Sequence, residues 1–158
     1  MNNNVEHNGS CSCGFVKYSI NGAPLFTHAC HCDDCKKSTG SAFVVHSMIL
    51  ENCFEVMEGE LEATTLPTGS GAGYKPFFCK KCGTYIYCKY EKAPGRIIIR
   101  TSTFNEPKNF PPQAHIFTRA KVNWIHLGNK IPSFENMYDR DKLWPKASLE
   151  KLNSYLNL

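Results

Sequence analysis

Nothing in the chain reads as a membrane anchor or an export leader. The longest mainly apolar stretch, residues 42–50, is broken by His46 and Ser47, and a spanning helix needs roughly 18 or more apolar residues. Residues 1–7 are polar, without the basic-then-apolar order of a secretory signal, so the expected location is the cytoplasm. A long basic run is missing too. The glycine-rich stretch Thr68-Gly69-Ser70-Gly71-Ala72-Gly73 lacks the Gly-Lys-Ser/Thr ending with which a phosphate loop holds nucleotide, and reads as a flexible connection between strands. With 42% hydrophobic and 20% charged residues the chain also lacks the signature of disorder. Its 158 residues suffice for one core and leave little room for a second.

Cysteine departs from this ordinary composition. Nine of them, an odd number in a chain expected to stay in a reducing compartment, point to metal or redox chemistry before disulfides. In Cys11-Ser12-Cys13 and Cys30-His31-Cys32 both sulfurs lie on one face of an extended backbone. In Cys79-Lys80-Lys81-Cys82-Gly83 a turn brings two thiolates to one ion, with Gly83 suited to the left-handed conformation, and Gly14 is placed to do the same after Cys13.

Tetrahedral zinc takes four protein ligands in structural sites and three plus an open position in catalytic ones. The economical division is therefore a closed site of Cys11, Cys13, Cys79 and Cys82 and an open site of Cys30, Cys32 and Cys35, with two zinc ions per chain. The competing reading closes the second site with His28, His31, Asp33 or Asp34 and leaves two structural metals. Cys53 and Cys88, in apolar or aromatic stretches, read as packed thiols.

Metal changes the charge count. The formal charge is +4; seven thiolates remove seven charges and two zinc ions return four, which leaves about +1. Nucleic acid is therefore not an expected partner. Lys36 and Lys37, like Lys80 and Lys81, offset the negative clusters, and Lys36 and Lys37 are also candidates to attract an anionic substrate.

Short segments of strand character, with a turn at Asn21-Gly22, predict a mainly β fold of packed antiparallel sheets. Strands are expected over 16–20, 43–49, 53–57, 61–66, 85–90 and 96–104. Residues 1–9 read as a flexible tail, 10–134 as the zinc-binding domain, and 135–158 as an extension with a short helix. In that helix Leu149, Leu152, Tyr155 and Leu156 recur at helical spacing after Pro145, with Ser148 as N-cap and the apolar stripe docked on the domain.

Taken in order, Gly9-Ser10-Cys11-Ser12-Cys13-Gly14, Cys30-His31-Cys32-Asp33-Asp34-Cys35 and Phe78-Cys79-Lys80-Lys81-Cys82-Gly83-Thr84 resemble the glutathione-dependent formaldehyde-activating enzyme (GFA) family. This family is also called centromere protein V-like, and its fold is Mss4-like. Ser38-Thr39-Gly40-Ser41-Ala42-Phe43, Pro112-Gln113-Ala114-His115-Ile116-Phe117 and Trp124-Ile125-His126-Leu127 fit its later landmarks, so the likeness covers residues 9–134. The resemblance implies a structural zinc on Cys11, Cys13, Cys79 and Cys82 and an exchangeable one on Cys30, Cys32 and Cys35. It also implies a carbon-sulfur lyase reaction in which glutathione adds to formaldehyde, giving S-(hydroxymethyl)glutathione.

Three thiolates make zinc a poor Lewis acid, so the open site is expected to bind the thiol of glutathione or a similar small molecule for attack on a small electrophile. Lys36, Lys37 and the Ser38-Thr39-Gly40 backbone are candidates to hold its carboxylates, and His115 to relay a proton. Ser38 and Thr39 could equally cap the next element, and His115 could be a structural hydrogen-bond partner. Trp124 reads as core or pocket wall. The rivals are a non-enzymatic zinc module for protein or nucleic acid, and a thiol redox enzyme using Cys88 or Cys53.

Overall fold

The computed structural model describes residues 5–68 and 71–157. Its strands are β1 (Glu6–Ser10), β2 (Lys17–Asn21), β3 (Phe26–Cys30), β4 (Val44–Leu50), β5 (Phe54–Glu58), β6 (Leu61–Ala63), β7 (Leu66–Pro67), β8 (Gly73–Cys79), β9 (Tyr85–Tyr90), β10 (Arg96–Arg100) and β11 (His115–Ile116). Its helices are α1 (Asp33–Thr39), α2 (Arg140–Leu143) and α3 (Lys146–Leu156). One sheet has the order β1-β2-β5 and the other β11-β3-β4-β10-β9-β8-β6, with β7 on β8. The fold is mainly β and the sheets are antiparallel, β11 alone among the described strands running parallel to its neighbour β3.

Alternation along the central strands builds two cores. Ile49, Ile97 and Ile99 join Val16, Tyr18, Ile20, Ile86 and Phe104 in the first core, which the small sheet shares. Met48 and Ile98 point the other way, to Leu25, Phe26, Tyr138, Trp144 and Leu152. The Phe26 and Trp144 rings stack at 5.6 Å, and Trp144 Nε1 donates to the Tyr138 hydroxyl at 3.0 Å. The chain after residue 134 is thus part of the second core, and its helix docks through Leu149, Leu152 and Leu156 as the stripe predicts. Pro145, and not Ser148, occupies the N-cap position of α3.

The flexible tail expected over residues 1–9 is corrected from Glu6 onward, because β1 pairs with β2 along its whole length. Gly9 lies so close to Tyr18 that a Cβ would sit 2.2 Å from its ring, a density of contact that a frayed end does not have. Residues 1–4 lie outside the described residues, as do positions 69 and 70 of the expected flexible connection. The expected strand over 61–66 is split into β6 and β7, and that over 96–104 ends at Arg100 in a 3-10 turn, Thr101–Thr103. β3 was not expected because all five of its residues are buried, which removes the alternation. β8 is masked in sequence by Pro76.

Candidate metal centres and their surroundings

Two turns build the first cluster. Cys11 N donates to Val16 O and Gly14 N to Cys11 O, both at 3.0 Å; Cys79 N donates to Thr84 O and Gly83 N to Cys79 O, both at 2.9 Å. Gly14 and Gly83 take φ of +75° and +70°, the left-handed conformation expected of both. The four sulfurs of Cys11, Cys13, Cys79 and Cys82 lie within 4.8 Å of one another, with Cys11–Cys13 at 3.5 Å and Cys13–Cys79 at 3.9 Å. Metal-sulfur bonds of about 2.3 Å in a tetrahedron give sulfur-sulfur edges of about 3.8 Å, close to these two distances, so the donor set suits a tetrahedral metal ion.

Polar neighbours hold these sulfurs. Val16 N–H points at Cys11 Sγ from 3.2 Å. The Thr84 hydroxyl, 3.1 Å from Cys82 Sγ, holds that thiol down at about 5 and also accepts from Ser12 N–H. Lys80 pairs with Glu60 at 2.7 Å, and Lys81 lies 3.7 Å over the Phe15 ring.

The second cluster sits where the large sheet ends. Cys30 closes β3, Cys32 is the N-cap of α1, and Cys35 stands in its first turn, its N–H pointing at Cys32 Sγ from 3.4 Å. Their sulfurs also lie within 4.8 Å of one another, and no fourth Cys, His, Asp or Glu joins them among the described residues. The Cys30 and Cys35 thiols hydrogen-bond to Cys32 and hold it down at about 2. The same contact with Cys32 pushes Cys30 up to about 12, and contacts with Cys30 and Cys32 push Cys35 up. Three thiols this close share one negative charge; a cation at their centre is what lets all three ionise.

Of the side chains considered as a fourth ligand, His28, His31 and Asp33 are engaged elsewhere. His28 Nδ1 meets the Tyr138 hydroxyl at 2.9 Å, His31 Nε2 meets His115 Nδ1 at 3.1 Å, and Asp33 pairs with Lys36 at 2.9 Å. His115 reaches this position because β11 runs beside β3, with Ile116 opposite Cys30. Burial holds His28 down at about 3 and His31 at about 4, and keeps His115 below its ordinary range, so the rings are neutral near pH 7.

The residues expected to hold substrate divide. Lys36 Nζ is bound to Asp33 and, at 2.5 Å, to the Ala120 carbonyl, which braces α1 against the 118–120 turn. Lys37 is exposed. The Ser38 and Thr39 hydroxyls donate to Cys35 O at 3.1 and 2.8 Å, and Gly40 N–H closes the helix on Lys36 O at 2.8 Å. The 38–40 segment therefore ends α1, and the Thr39 hydroxyl also meets the Ser41 hydroxyl at 2.8 Å. Trp124 is 64% exposed, which excludes the core role.

All nine thiols are free; Cys88 is buried and Cys53 half-buried. Sequence reasoning missed one neighbour of the second cluster and a pair of side chains next to it in the sheet. His46 Nε2 lies 3.7 Å from Cys35 Sγ, and Arg100, opposite His46 in the sheet, lies 3.8 Å over the Tyr85 ring. The signal was present in part, since His46 interrupts an apolar strand and Arg100 ends an Ile-Ile-Ile run.

The family model described as glutathione-dependent formaldehyde-activating enzyme matches residues 6–120. The chain belongs to that family. The GFA match begins at the first residue of β1 and ends before α2 and α3, which complete the second core. An uncharacterized lyase of Schizosaccharomyces pombe, C29B12.13, is 22% identical over 129 residues, which span 82% of this chain and 90% of that protein. A crystal structure of a Rhodobacter sphaeroides protein is similar with a TM-score of 0.49 at 17% identity, covering 80% of this chain and 98% of that one.

Proposed function

We propose that this GFA family member is a zinc-dependent carbon-sulfur lyase that joins glutathione, or a similar small thiol, to formaldehyde or another small electrophile. Cys11, Cys13, Cys79 and Cys82 would hold a structural zinc, and Cys30, Cys32 and Cys35 a second one with a position left for the thiol. The observation that carries this reading is the incomplete donor set: three sulfurs within 4.8 Å of one another and, among the described residues, no fourth Cys, His, Asp or Glu within that distance of all three, His46 approaching Cys35 alone. Zinc bound there would favour the thiolate form of a thiol while three sulfur donors keep it electron-rich.

The chain's own groups do the rest. Cys30, Cys32 and Cys35 are fixed by a strand end, a helix cap and a helix turn, which holds their sulfurs in one arrangement. As the sulfur-carbon bond forms, the carbonyl π pair moves to oxygen, which takes up the proton that the thiol gave up on becoming a thiolate. His115 is the candidate to pass that proton, since its ring is neutral and hydrogen-bonded to His31. Lys37 remains an exposed cation near α1 for a substrate carboxylate.

Metal analysis before and after mild chelation, paired with glutathione titration, tests the proposal. Two zinc ions per chain are expected, one released easily and glutathione binding lost with it. Two equally inert ions and no thiol binding would overturn it.

A further inference from the structure

The large sheet buries a positive charge that the protein does not pair. Arg100 is 4% exposed, and none of the ion pairs among the described residues involves it. Its Nε and Nη1 groups find no hydrogen-bond acceptor there, and the buried Tyr85 hydroxyl has no oxygen or nitrogen partner, only the Cys88 thiol beside it. The Tyr85 ring under the guanidinium, at 3.8 Å, favours the cation but accepts none of its in-plane N–H bonds. A buried guanidinium without acceptors is costly, and such groups are retained where something completes them.

His46 links Arg100 to the three-cysteine cluster. Arg100 stands opposite His46 in the sheet register, and His46 reaches Cys35 Sγ at 3.7 Å. A partner for this guanidinium must supply negative charge and in-plane lone pairs together. A carboxylate does both, because its two oxygens match the planar fork of a guanidinium and can also accept from a phenol.

We infer that Arg100 and Tyr85 form a carboxylate-binding subsite beside the three-cysteine site, an inference that rests on reading that site as the centre of thiol addition. It gives to Arg100 the anion-holding role that the sequence suggests for Lys36, whose ammonium is spent on Asp33 and Ala120. The carboxylate belongs either to the thiol, as in glutathione, or to an electrophile that is itself an acid, such as glyoxylate.

The test uses the full-length, zinc-loaded protein. Millimolar glyoxylate is expected to raise the melting temperature by about 3 °C or more, and Arg100→Gln to abolish the rise. Calorimetric titration with glutathione and with its dimethyl ester separates the two sources. A thiol carboxylate predicts about 10-fold or more tighter binding of glutathione than of the ester, erased in Arg100→Gln. An electrophile carboxylate predicts that only the glyoxylate-dependent rise disappears.

Tyr85→Phe keeps the ring under the guanidinium and removes one donor; about a 3-fold weakening is expected of it, which carries the test if Arg100→Gln does not fold. No glyoxylate effect and no ester discrimination in the wild type would overturn the subsite, as would both being unchanged in the folded, metal-loaded variants. Glutathione binding that ignores the labile metal would remove the thiol-addition reading while leaving an Arg100-dependent glyoxylate shift intact, so the two failures are distinguishable.

Discussion

The two cysteine clusters use the same ligand on different scaffolds. The four-cysteine cluster joins two similar turns, with Cys13 and Cys79 lying 66 positions apart in the chain, and two of its thiols, Cys13 and Cys82, are exposed. The three-cysteine cluster is assembled from one short stretch, with the buried His46 against Cys35 and the buried Arg100 opposite His46 in the sheet. A complete donor set needs nothing from its surroundings and serves as a clasp. An incomplete one is chemically useful when the groups around it are dry and fixed, so that the remaining valence and the neighbouring charges act on a ligand and not on water.

The comparison is open to direct attack, starting where stability should suffer most. Cys79→Ser breaks the clasp between the two turns and is expected to cost about 5 kcal/mol or more, with loss of one metal ion per chain; thermal melting with metal analysis reads both. A loss of only a degree or two would mean that this cluster does not hold the fold. Leu152→Ala empties a fully buried position of α3 and should cost about 2–4 kcal/mol by denaturant titration. Because the side chain packs in the same core as Cys30, the second cluster should loosen its metal while the first keeps its own.

Cys35→Ser should change stability by only about 1–2 kcal/mol, a cluster on one short stretch closing little chain, yet lower thiol addition about 100-fold or more. Destabilisation as large as that of Cys79→Ser would erase the distinction between clasp and site. The smallest effect belongs to Lys37→Ala. At an exposed position it should leave stability within about 0.5 kcal/mol and shift the glutathione KM by about 2-fold; a much larger rise in KM would make Lys37, and not Arg100, the main anion holder.

The strands that were legible are runs rich in β-branched and aromatic residues. β9 was expected over its whole length and β4 and β5 within one residue of their observed limits, while β10 was expected to run four residues too far. β3 was hidden by burial on both faces, β8 by its proline, and β1 by the polar residues of an edge strand. In the candidate sites the cysteines stood out because a turn or a two-residue step brings sulfurs together whatever surrounds them. Lys36 misled because a lysine near an anion reads as available, while a carbonyl 84 positions away claims it.

Local geometry thus accounts for which cysteines can pair, for the left-handed glycines after them and for the family to which the motifs belong. Strand register and chain return account for what local geometry cannot reach. They bring Cys11 to Cys79, set His115 beside His31 and place Arg100 opposite His46. Those neighbours are chosen by the burial of side chains far apart in sequence, so they exist only once both cores have closed around the large sheet.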